Sequence, residues 1–128
     1  MTEKIESTRA AGECFSAHRL LWEAAAEVAR RLKTTTDEGH LMQLGATCMR
    51  MAAEQALQAR NASLALRNWR ECILADRQIK LAIYIGLRRG VVNNGMYDDL
   101  FRLCRKVQRI REDERQRLRR ELCRNLIV

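Results

Sequence analysis

The chain has 128 residues, 47% hydrophobic and 31% charged, with a formal charge of +8. That profile fits one soluble globular domain, and a chain of this size buries roughly two-thirds of its unfolded surface without needing disulfides or metal. Proline is absent and glycine occurs six times; a sheet-rich fold with many tight turns normally needs more of both, so the composition reads as all-helical.

Four amphipathic segments emerge when apolar residues are placed at 100° per residue. The first covers residues 3–33, with Cys14, His18, Leu21, Ala25, Val28, Ala29 and Leu32 on one stripe and Phe15 and Trp22 on its flank. Thr34-Thr35-Thr36 breaks the pattern, and Thr36 or Asp37 is suited to cap the next helix. The second covers residues 37–60, with Leu41, Leu44, Cys48, Met51, Ala52, Gln55 and Ala59 expected inward. Its alanines predict a close helix–helix approach. Asn61-Ala62-Ser63 is the next break, with Ser63 the expected cap.

The third helix is expected over residues 64–89. Trp69, Cys72, Ile73, Ile79, Ile83 and Leu87 form its apolar side, and Gly90 stands where a left-handed stop belongs. After the turn signal Asn93-Asn94-Gly95, the fourth covers residues 96–124 with Leu100, Leu103, Cys104, Val107, Ile110, Leu118 and Leu122 inward. Short connections between four long helices predict an up-down antiparallel four-helix bundle, one domain over residues 1–128.

No apolar stretch approaches the ~20 residues that span a bilayer, so no membrane partner is expected. Met1 leads into the polar Thr2–Glu6, and the five cysteines are odd in number with no CxxC pair. The expectation is a cytoplasmic protein with reduced thiols.

The positive charge is concentrated. From Phe101 onward ten basic residues face four acids. Arg102, Lys106, Arg109, Arg120 and Arg124 share a narrow sector, with Arg117 beside them, well away from the apolar line. On the third helix Arg70, Arg77 and Arg88 project in register, because seven residues make about two turns and eighteen make five. Arginine dominates both stripes, which suits bidentate phosphate contacts. These eight residues, Arg70, Arg77, Arg88, Arg102, Lys106, Arg109, Arg120 and Arg124, are the predicted nucleic-acid contacts. Aromatic residues make up 5% of the chain. Trp22, Trp69 and Phe15 read as core, Tyr84 and Tyr97 as more exposed. A stacking platform for single strands is not expected, and recognition of structured RNA by shape and charge fits better.

No catalytic constellation is legible. Cys14 and His18 stand four apart, half of a zinc-site geometry, but nothing matches them elsewhere. Phosphate loops, nucleophile elbows and di-iron motifs are absent, so neither metal, cofactor nor enzymatic activity is expected. Asp76 falls on the inward side of the third helix, where a bare carboxylate is costly, and requires an arginine or histidine partner from another helix or subunit.

The third helix carries a family likeness. Ile73-Leu74-Ala75-Asp76, Ile79, Leu81-Ala82, Tyr84 and Leu87, followed by Gly90 and Tyr97-Asp98-Asp99-Leu100, resemble the bacterial four-helix-bundle family. Within it the chain is most similar to the accessory variability determinant proteins of diversity-generating retroelements. Trp22, Ala25, Val28 and Leu32 agree in the first helix, and Leu44, Arg50 and Ala52-Ala53 in the second. Where the wider family often carries a proline and Ala-Glu-Gly, this chain has Gln58-Ala59-Arg60-Asn61.

The resemblance implies a homopentameric barrel that binds reverse transcriptase and template RNA, or an RNA/DNA hybrid, and supports mutagenic cDNA synthesis. Two other readings fit the basic stripes. One is a helical subunit of another ribonucleoprotein, such as the small subunit of a CRISPR effector. The other is a protein-interaction adaptor for an acidic partner.

Overall fold

Helix boundaries follow from the chemistry of their ends. In the computed structural model the chain forms α1 (Thr2–Leu32), α2 (Asp37–Gln58), α3 (Ala62–Arg89) and α4 (Asn94–Ile127), with no strand among the described residues. The structure describes residues 2–32, 36–90 and 94–127, and the side chains of 7–32, 36–90 and 95–125. The expected breaks at Thr34-Thr35 and Asn93, and the side chains of the apolar end from Leu126 to Val128, lie outside them.

Thr36 caps α2 as expected: the Gly39 amide donates to its hydroxyl oxygen at 3.1 Å, and the hydroxyl donates to the Leu32 carbonyl at 3.2 Å. One side chain thus closes both helix ends. Asp37 and Glu38 occupy the first turn, where negative charge complements the helix dipole. At α3 the cap is Asn61 rather than Ser63. Its Oδ1 accepts from the Leu64 amide at 2.9 Å, which starts the helix at Ala62 and places Ser63 inside the first turn. Gly90 closes α3 with φ 66°, the left-handed conformation that a side chain disfavours. Beyond Arg120 the chain stays helical to Ile127.

Each helix packs on its two neighbours in the cycle α1–α2–α3–α4. The pairing is antiparallel throughout. The Cys72 thiol on α3 reaches the Met49 carbonyl on α2, Arg89 at the end of α3 reaches Asp37 and Glu38 at the start of α2, and Arg117 late in α4 reaches Ser7 early in α1. The up-down bundle read from the sequence is therefore the fold.

The core stripes of α1 and α4 agree with the sequence expectation, except that Tyr97, expected to be more exposed, is buried. Its ring lies over Gly86 of α3, where no side chain intervenes. On α3, Leu87 is exposed at the rim and Ile73 is half-buried, while Ala75, Ala82 and Gly86 face inward.

On α2 the expected inward face is rotated. Leu44 and Met51 are 41% and 57% exposed, and Cys48 and Gln55 are also exposed. Ala52 is buried as expected, and Met42, Gly45, Ala46, Met49, Ala53 and Ala56 fill the rest of the interior. The reason is steric. A Cβ added to Gly45 would stand 2.8 Å from Ile79 Cγ1 and 3.2 Å from the Ala75 carbonyl, so α2 and α3 approach closely through their smallest residues. Leu44 and Met51 are left outside, while Leu41 packs at the edge of the core.

Candidate nucleic-acid interface

The charged residues sort into a buried group and a surface group. Asp76 of α3 is buried, and its Oδ2 is 3.3 Å from Arg111 Nη2 of α4 and 3.2 Å from Lys80 Nζ one turn along. This is the partner that the sequence demanded. Arg111 is itself buried and donates through Nη1 to His18 Nε2 on α1 at 3.3 Å. Since a guanidinium only donates, His18 is neutral with its proton on Nδ1, which bonds the Cys14 carbonyl at 2.7 Å. Burial pulls its pKa down to about 4. The bond to Cys14 opposes that fall, Arg111 adds to it, and Asp76 opposes it. The ring also lies against Trp69, with centroids 4.9 Å apart.

A second buried acid, Glu114, takes two bonds from Arg117, at 2.6 and 2.8 Å. Arg117 further holds Ser7 and Glu121, and its pKa is raised, chiefly by its bonds to Glu114. Arg117 is therefore not part of the surface stripe beside which the sequence placed it. Arg115 and Arg119 pair with Glu112. With Arg111, four of the ten basic residues after Phe101 thus make ion pairs within the molecule, although Arg119 itself is exposed.

The remaining surface is electrostatically divided. Every described arginine of α1 and α2 has an acidic partner on its own helix. Arg9 pairs with Glu13, Arg19 with Glu23, Arg30 and Arg31 with Glu27, and Arg50 with Glu54. A groove of about 750 Å³ between these helices is lined by Arg19, Glu23, Arg30, Arg50 and Glu54, and each of its three arginines already has a carboxylate partner.

On α3 and α4 the pattern reverses. Arg67, Arg70, Arg77, Arg88, Arg102, Arg105, Lys106, Arg109 and Arg120 are exposed, and none makes an ion pair among the described residues. Four exposed acids, Glu71, Asp98, Asp99 and Asp113, share those helices, also without ion pairs. Nine free cations against four acids leave a strongly positive face, which accepts anions without first breaking internal pairs.

No family model, curated protein or solved structure matches this chain. The site therefore rests on its own geometry.

Seven of the eight predicted contact residues, Arg70, Arg77, Arg88, Arg102, Lys106, Arg109 and Arg120, belong to that unpaired face; Arg124 is exposed on α4 as well. Residues 70, 77 and 88 lie on one side of α3, and 102, 109 and 120 on the solvent side of α4. Arg67 and Arg105 join them without having been predicted, although Arg67 flanks the α3 stripe in the sequence. Tyr84 is exposed as expected, and Phe101 is a second exposed ring that the sequence did not single out. Tyr84 carries the Arg88 guanidinium 5.8 Å from its centroid, and Phe101 carries that of Arg105 at 5.7 Å. Their aromatic–x3–arginine spacing is the signal that was present.

Among the described residues, no three His, Cys, Asp or Glu side chains are grouped to hold a metal, and no helix is long and apolar enough to cross a membrane.

Proposed function

We propose that this protein is a non-catalytic, RNA-binding accessory subunit of a diversity-generating retroelement. It binds structured template RNA, or an RNA/DNA hybrid, and the reverse transcriptase, and supports cDNA synthesis without performing it. The observation that carries the RNA-binding part is the division of charge. Arginines are paired on α1 and α2 and left unpaired on the outer faces of α3 and α4. Phosphate neutralisation by such unpaired cations is the main source of affinity for nucleic acids. The likeness in α3 and the start of α4 supports the retroelement setting. The apolar Leu44, Met51, Leu74 and Leu81, all exposed on α2 and α3, support association of several chains in a pentamer.

The test is a salt titration of RNA binding by the wild-type protein and by Arg102→Glu/Lys106→Glu/Arg109→Glu. Wild-type affinity falls steeply with salt, and the variant loses at least an order of magnitude while its helix content is unchanged. Equal affinities would remove the proposed surface. Negligible wild-type affinity at physiological salt points to an adaptor for an acidic protein. Light scattering checks the assembly: five chains of 14.9 kDa give about 75 kDa. A gene beside a reverse transcriptase, rather than beside a nuclease complex, separates the retroelement setting from that of another ribonucleoprotein.

A further inference from the structure

Tyr84 and Phe101 are the two exposed aromatic rings of the chain, 57% and 40% open to solvent. The register of α3 against α4 brings them to one place. Asp76 stands opposite Arg111, Lys80 opposite Gln108, and Gly86 opposite Tyr97. Tyr84 lies between Lys80 and Gly86, and Phe101 lies between Gln108 and Tyr97, at matching heights along the antiparallel pair. Helical spacing also places both positions on the seam side of their helices. Tyr84 is one turn beyond Lys80, whose ammonium reaches α4, and Phe101 is two turns before Gln108, whose amide reaches α3.

Each ring has an unpaired arginine one turn further along its own helix, stacked over it: Arg88 on Tyr84 and Arg105 on Phe101. A single exposed aromatic is unremarkable on a helix. Two at the same height on adjoining helices, each with an uncommitted cation, form a short ridge of flat apolar faces flanked by positive charge. Unpaired nucleobases have the complementary chemistry. Their faces stack on aromatic rings, while the phosphates between them take the arginines. An intact duplex cannot use such a ridge, because its bases are already stacked on one another. Asp98 and Asp99, both exposed, limit the positive face at the Phe101 end.

We propose that the α3–α4 seam is a stacking site for an unpaired segment of RNA, with Tyr84 and Phe101 receiving bases and Arg88 and Arg105 holding the adjoining phosphates. The inference rests on the RNA-binding reading above and sharpens it. Sequence composition alone pointed away from single-strand stacking, because only the fold brings residues 84 and 101 together.

The test compares the wild-type protein with Tyr84→Leu/Phe101→Leu, which keeps apolar bulk at two exposed positions and preserves every charge. The probes are a short unstructured RNA carrying 2-aminopurine, a blunt RNA duplex of equal length, and a DNA strand of the same sequence. The wild-type protein binds the unstructured RNA more tightly than the duplex and quenches its 2-aminopurine fluorescence. The variant loses about ten-fold or more in affinity for the unstructured RNA and loses the quenching, with duplex binding unchanged. Wild-type binding of both RNAs with no loss in the variant overturns the stacking site and leaves the phosphate surface standing. Tighter binding of the DNA strand overturns the assignment to RNA. Failure of the wild-type protein to bind either RNA overturns this inference together with the reading on which it rests.

Discussion

Arg111 and Asp76 meet at 3.3 Å in the interior of the bundle, each side chain almost wholly removed from solvent. The pair ties α4 to α3, and the second arm of Arg111 ties both to His18 on α1. Three of the four helices are therefore registered by one guanidinium. Removing Asp76 leaves the buried Arg111 without an acid, and removing Arg111 leaves the buried Asp76 with Lys80 alone. Arg111→Met or Asp76→Leu is expected to cost about 3–5 kcal/mol. The double variant should recover much of that loss, since a well-packed apolar pair replaces buried charges at little net cost. Urea denaturation of the four proteins gives the coupling directly, and additive losses would show that the pair is not a unit.

His18 makes stability depend on acidity. Its folded pKa of about 4 lies below the ordinary 6.5, so below pH 6.5 the unfolded chain takes up a proton that the folded chain refuses. Stability is full above pH 6.5, declines as the pH falls toward 4, and levels off below it. The total contribution is about 3 kcal/mol. In His18→Gln this component disappears and the carboxylates alone set the acid limb. Urea midpoints at several acidities, compared between the two proteins, check the difference. Parallel curves would show that His18 is not held neutral.

Two glycines mark the tightest approaches. A Cβ on Gly86 would overlap the Tyr97 hydroxyl, and one on Gly45 would crowd Ile79. Gly86→Ala and Gly45→Ala are each expected to destabilise by about 1–3 kcal/mol. The Tyr97 hydroxyl is buried without a protein partner, so adding Tyr97→Phe to Gly86→Ala should return part of the loss. Melting temperatures of the single and double variants show whether the hydroxyl is the obstacle.

The thiols divide by exposure. Cys48 and Cys123 are exposed, whereas Cys14, Cys72 and Cys104 are buried. Burial pushes the thiols of Cys72 and Cys104 up to about 12, and that of Cys14 is raised as well. Two of the five should react rapidly with a disulfide reagent in the native protein, and the other three only on unfolding. Fast labelling of a third thiol would place an opening in the core.

Helical class, helix number, the Thr36 and Gly90 boundaries and the need of Asp76 for a partner were legible in the sequence. Each is a local property or follows from a 100° periodicity. The buried face of α2 was not. Apolarity favoured Leu44 and Met51, but the contact with α3 selects small residues, so Gly45 and Ala53 turn inward and the leucine stays outside. Likewise Arg111 and Glu114 read as surface charge on a basic helix. Their burial depends on partners 35 residues away in Asp76, at the opposite end of α1 in Ser7 through Arg117, and across the bundle in His18.

The sequence by itself determined that the chain forms four amphipathic helices and carries an excess of arginine on the last two, because helical periodicity and net charge need no knowledge of neighbours. Only the tertiary structure decided which arginines are free and which are spent on buried acids, and that Tyr84 stands level with Phe101. Ion pairing and alignment across a seam depend on the axial register of antiparallel helices, and close packing between them sets that register.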